Sequence, residues 1–233
     1  MTATAADVQA ALRTHADGDR AARAQRFFKT GPGEYGEGDV FAGITMPDVR
    51  RAARAFRDLP LGESRALLAS PVHEDRMAAL VILVGQHRRG DAAARAGIHA
   101  AYLASTGRVN SWDLVDVSAP QIVGEHLRDG SHALLHELAR SPSLWERRIA
   151  VVATLAFIRA GELDDTYRLA FALADDPHDL IHKACGWMLR EAGKRDEPRL
   201  VAFLAAHHAE LPRTTVRYAA ERLAADRRPP RRR

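Results

Sequence analysis

Apolar residues recur with a helical period from Val8 almost to the C-terminus, and runs of β-branched residues are scarce. That spacing belongs to helices that bury one face. It predicts helices over 8–15, 21–28, 47–56, 62–70, 73–87, 91–105, 110–127 (interrupted near Pro120), 131–139, 144–159, 164–174, 178–192, 197–207 and 213–224. Glycine or proline separates them at Gly90, Gly107, Gly130, Pro142, Gly161, Pro177, Gly193 and Pro212. Pro47 suits a first helical turn. The segment 30–43 has five glycines, one proline and no apolar period. It lacks the strand–turn–helix setting of a phosphate-binding G-x-G-x-x-G loop and reads as a connector.

Helices of this length joined by short turns predict stacked helical hairpins. Trp112 stands 36 residues before Arg148, and Arg148 39 before Trp187, close to the ~40-residue unit of HEAT-like repeats. Equivalent positions in such a stack line one concave surface. The expected fold is therefore all-α, an α-solenoid of HEAT-like helical hairpin repeats with a concave groove for Trp112, Arg148 and Trp187. One domain is expected over 1–226, followed by a basic, disordered tail over 227–233.

Composition narrows the function. Aromatic residues make up only 6% of the chain, so Ala and Leu must supply most of the packing. A single cysteine, Cys185, excludes an intramolecular disulfide and a cysteine-based zinc site. It lies in an apolar helical stretch and reads as a buried, inert thiol. Residues 1–7 show no signal-peptide pattern, and the longest apolar run, 150–158, falls well short of the ~20 residues that span a bilayer. A soluble intracellular protein is expected. The net charge of +4 is unevenly spread: residues 213–233 hold eight arginines and two acids, leaving 26 basic and 28 acidic side chains elsewhere. Any anion-binding surface on the body must come from sorting charge to one face.

Four segments stand out. In Asn110-Ser-Trp-Asp-Leu-Val-Asp116, Trp112 and Asp116 are four apart and share a helix face, about 5–6 Å apart at Cβ. Burying an unpaired carboxylate is costly. Asp116 is thus either a hydrogen-bonded tie between repeats or a cleft carboxylate against an aromatic wall. Asp113 points elsewhere, and Ser111 with Asp113 suits capping of the helix start. Lys183, Trp187, Arg190 and Lys194 form one helical stripe, three cations around an indole, which suits phosphates and a flat sugar or base; the plainer reading is a solvated charged face. Leu144-Trp-Glu-Arg-Arg148 points two arginines in different directions. Pro212-Arg-Thr-Thr-Val-Arg-Tyr218 places Arg213, Thr214 and Arg217 at a helix start, where backbone N–H groups and the helix dipole favour a phosphate, although Thr214 also suits a simple N-cap. His178 and His182 lack the Glu of an H-E-x-x-H site, and no serine sits in a G-x-S-x-G elbow.

Together with Phe28-Lys-Thr-Gly-Pro-Gly-Glu-Tyr, Phe41-Ala-Gly-Ile and Lys183-Ala-Cys-Gly-Trp-Met-Leu-Arg-Glu191, these segments run in order along nearly the whole chain. The sequence resembles the AlkD family of HEAT-like alkylpurine DNA glycosylases. The resemblance implies Asp116 as the catalytic carboxylate, Trp112 and Trp187 as sugar-contacting tryptophans and Arg148 as a groove arginine. It implies hydrolysis of the N-glycosidic bond of cationic N3- and N7-alkylated purines in double-stranded DNA, with the lesion left stacked rather than flipped. It further implies no cofactor, no metal, no membrane, no obligate protein partner, and a place in the cytoplasm at a bacterial nucleoid. Arg148, Lys183, Arg190, Lys194, Arg213, Thr214 and Arg217 are the expected DNA-binding residues. Two other readings use the same features: a noncatalytic DNA-binding member that recognises damaged or branched DNA, and a HEAT-type protein-interaction scaffold.

Overall fold

The computed structural model describes residues 2–230; Met1 and Arg231–Arg233, the end of the expected tail, lie outside the described residues. The described chain is all-α. Its helices are α1 (Ala5–Arg13), α2 (Gly18–Phe27), α3 (Met46–Ala55), α4 (Leu61–Leu68), α5 (His73–Arg89), α6 (Ala92–Leu103), α7 (Trp112–Ala119), α8 (Glu125–Leu127), α9 (Ala133–Ala139), α10 (Leu144–Ala160), α11 (Asp164–Ala172), α12 (Asp179–Gly193), α13 (Glu197–His207) and α14 (Arg213–Ala219). Short polar side chains start many of them. Thr4 and Asp7 form a reciprocal capping box on α1, and Asp17, Thr45, Asp91, Ser143 and Asp196 each accept a first-turn N–H. These caps move the starts of α1 and α2 three residues ahead of the apolar pattern.

Proline and buried contacts explain two other differences. At Pro120 the chain leaves α7 through a π-helical turn, Pro120–Gly124, before α8. Proline has no N–H to donate and its ring disturbs the turn before it. The last helix ends at Ala219 and gives way to 3₁₀ turns, because buried Leu223 adopts an extended backbone. Beyond it, Arg228 donates to the carbonyls of Leu223 and Glu221.

The chain divides into two compact units, Met1–Ile122 and Val123–Arg233. In the first, α3, α4, α6 and α7 pack around α5, which is buried on nearly every side. In contrast, α2 buries none of its residues. It is held through its start, where Asp17 N–H donates to Ala42 O and Arg20 Nε to Gly43 O. A Cβ on Gly43 would stand 2.1 Å from Asp17 O, and its φ of +73° also favours glycine. In the second unit, α10, α11, α13 and α14 pack on α12. Gly186 lets α12 and α14 touch: a Cβ there would stand 2.5 Å from Tyr218 Cβ and 2.7 Å from Thr215 O. No helix among the described residues is long and apolar enough to cross a membrane.

Candidate functional site

In the first unit, α7 begins at Trp112 and carries Asp116 one turn on, both half-buried. Trp112 ends a column of stacked rings: Phe41 lies 4.9 Å from Phe28, and Phe28 5.4 Å from Trp112, with interplanar angles of 22° and 17°. Phe27, the most exposed large apolar side chain described, meets Trp112 edge-on at 6.1 Å. Behind the face, buried Tyr102 bonds Ser118 Oγ at 3.0 Å. Burial pushes its phenol well above the usual range, and the charge of Asp116 adds to the shift. An aromatic wall beside a half-buried carboxylate is a place where a flat, cationic or cation-forming group can sit.

What holds this face is a run of four charged residues at the start of α5, His73-Glu74-Asp75-Arg76, all buried. Asp75 takes both terminal guanidinium nitrogens of Arg13, at 2.8 and 2.7 Å, and also accepts from Gln9 and Ser70. Glu74 accepts the backbone N–H groups of Ala42, Gly43 and Ile44 at 2.9, 2.8 and 3.1 Å. Arg76 donates to Asp39 at 2.7 Å and to the carbonyls of Ser70 and Pro71. His73 lies between two carboxylates, Nδ1 at 2.8 Å from Asp39 and Nε2 at 2.9 Å from Asp113. Burial alone would lower its pKa; hydrogen bonds to Asp113 and Asp39 outweigh that and raise it to about 9. Asp39 behaves conversely: burial is outweighed by His73 and Arg76, and its carboxyl falls below the usual range.

Several expected residues serve as ties in the second unit. Arg148 is buried and donates to Leu180 O at 2.7 Å, joining α10 to the first turn of α12. Arg147 pairs with Asp176 at 2.6 Å and donates to the carbonyls of Ser141 and Pro142. On α12, half-buried Trp187 lines a shallow depression with Leu155, Ile158, Arg159, Glu191, Lys194 and Arg195. The stripe around it is locally balanced: Lys183 pairs with Asp179 at 2.8 Å, Lys194 with Glu191 at 2.7 Å, and Arg190 with Glu221. Each of these pairs joins an exposed side chain to a half-buried one. On α14, Thr214 Oγ1 donates to Asp179 at 2.8 Å, Pro212 occupies the N-cap and Arg217 lies 5.2 Å over the Tyr218 ring. Thr214 therefore bridges α14 to α12 instead of capping. Arg213 is exposed at the helix start.

The model of the DNA alkylation repair enzymes matches residues 8–223, nearly the whole chain. The chain belongs to the DNA alkylation repair enzyme family. A solved structure named as a predicted DNA alkylation repair enzyme from Enterococcus faecalis is similar over 91% of this chain and 98% of that one. Its TM-score is 0.71 at 18% identity, a likeness of fold. No curated protein matches significantly.

For this member of the family, helical spacing singles out residues on α7 and α12 and does not single out the charged start of α5. Its signal was His-Glu-Asp-Arg directly before the apolar run 77–84, a pattern that demands partners wherever that start is buried. Ser111 does sit at the N-cap of α7, but its side chain makes no capping bond. Asp113, expected to help cap, instead reaches His73 while its other oxygen accepts from Leu114 N–H. His178 and His182 use ring nitrogens on backbone groups, Leu180 N–H and Asp176 O. Burial pushes the Cys185 thiol up to about 12, the behaviour of an unreactive side chain.

Proposed function

We propose that the protein is a monofunctional DNA glycosylase that hydrolyses the N-glycosidic bond of cationic N3- and N7-alkylated purines in duplex DNA. The observation that carries this reading is the α7 face, where Asp116 stands one turn from Trp112 at the end of the ring stack.

The chemistry asks little more of the protein. An N3- or N7-alkylated purine already carries positive charge, so when the C1′–N bond breaks its electron pair leaves with the base, which departs neutral. No general acid is needed. Positive charge develops on the deoxyribose, and water adds at C1′ and loses a proton to give the abasic sugar. Asp116 stabilises the cation and holds that water. Opposite charges ~4 Å apart at an effective dielectric of about 20 interact by roughly 4 kcal/mol, or about a thousandfold in rate. Trp112 excludes water and favours the cation through its ring face, and the family resemblance gives Trp187 the same role. The resemblance also supports excision without base flipping. Arg148, Lys183, Arg190, Lys194, Arg213, Thr214 and Arg217 are assigned to the phosphates, the paired cations exchanging an acidic partner for DNA.

Release of 7-methylguanine and 3-methyladenine from methylated duplex under single-turnover conditions tests the reading, wild type beside Asp116→Asn. Release by wild type should fall at least about a hundredfold in the variant. Tight duplex binding with no release by either protein would instead identify a noncatalytic damage-binding member of the family.

A further inference from the structure

The glycine-rich segment between α2 and α3 carries Asp39 and Phe41 near its end, and both reach toward the start of α7 through His73. His73 stacks on Phe41 at 4.4 Å and 21°, and Phe28 lies over it at 5.1 Å. Phe28 in turn carries the Trp112 ring. Asp113, the neighbour of Trp112, is bonded to the same imidazole. The first residues of α7 are thus held twice by His73, once through a carboxylate and once through a ring stack.

We propose that His73 is a positioning residue: clamped between Asp39 and Asp113, it fixes the orientation of Trp112 and the register of the α7 face that also bears Asp116. This rests on the glycosylase reading for its functional consequence, and on geometry alone for the positioning. The clamp is built to be rigid. His73 is 3% exposed, and Asp39 is anchored from its other oxygen by buried Arg76. The charged groups around the ring are Asp39 from the loop, Glu74 and Arg76 on α5, Asp113 on α7 and Arg20 on α2, the last lining a small cavity with His73 and Asp113. Two carboxylates bonded directly to one ring favour its protonated form, and a cation stacked on Phe41 and Phe28 is further stabilised by their faces.

Asp113→Asn tests this with least risk to the fold, because Asp113 lies at the rim of the cluster. Protein labelled with 5-fluorotryptophan reports the Trp112 ring as one of three ¹⁹F resonances, assigned with Trp112→Phe. In the wild type the Trp112 signal should titrate with a midpoint near pH 9, following His73. In Asp113→Asn the midpoint should move to lower pH, and single-turnover excision at neutral pH should slow by about tenfold with duplex affinity kept. Phe28→Leu should shift the Trp112 signal and slow excision while moving the His73 midpoint less than Asp113→Asn does.

An unmoved Trp112 resonance in Asp113→Asn overturns the proposal. So does a loss of rate matched by equal losses of melting temperature and DNA affinity. If the wild type releases no base, the glycosylase reading fails separately, and the ¹⁹F titration still decides the positioning.

Discussion

His73 holds a charge out of water because each ring nitrogen meets a carboxylate, and this coupling has a defined pH dependence. Its folded pKa, about 9, lies above the usual value of 6.5. The stabilisation is therefore fully present below about pH 6.5 and is lost as pH rises through 9, an effect of order 3 kcal/mol. Melting temperature should decline between pH 7 and 10, and the decline should shrink in Asp113→Asn; a wild-type melting curve flat over that range would contradict the assignment. Arg148 illustrates the opposite lesson. Spacing left open which of Arg147 and Arg148 serves structure, and the fold gives both of them backbone carbonyls to bind. Arg148→Ala should thus lower stability by about 1–3 kcal/mol, measured by denaturant unfolding, besides any effect on DNA binding.

At the scale of elements, α5 and α12 organise their units by different means. The head of α5 is ionic, and its four charged residues together tie the 39–44 segment, α1, the turn at Ser70 and the start of α7. Glu74→Ala leaves three backbone N–H groups of residues 42–44 without their acceptor and should cost about 1–3 kcal/mol for each that stays buried. Hydrogen exchange in that segment should accelerate before exchange in α10 does. On α12 the device is steric. Gly186→Ala forces a methyl against Tyr218 and the Thr215 backbone, and should cost about 1–3 kcal/mol. Because Thr214 shares the displaced helix start with Arg213 and Arg217, weaker duplex binding should accompany that loss.

For the molecule as a whole, positive charge is concentrated towards the C-terminus. The segment 227–233 carries five arginines, of which Arg227 pairs with Glu197 and Arg228 binds backbone carbonyls. Deleting it should lower the slope of log affinity against log salt by roughly 0.9 for each phosphate the segment neutralises, while the preference for alkylated over intact duplex that the proposed function requires stays unchanged. A deletion that abolished the preference would assign the tail a part in recognising the lesion. The sequence by itself determined the all-α class, the interruption at Pro120 and the pairing of Trp112 with Asp116 on one face. These depend on periodicity, on proline's missing N–H and on four-residue spacing, all of which are local. Only the tertiary structure decided that Asp113 serves His73, that Thr214 bridges to α12, and that the glycine-rich connector delivers Asp39 to His73. Those partners lie 34 to 40 residues apart along the chain. A buried charge signals that it needs a partner, but its identity emerges only when packing brings distant segments within hydrogen-bond reach.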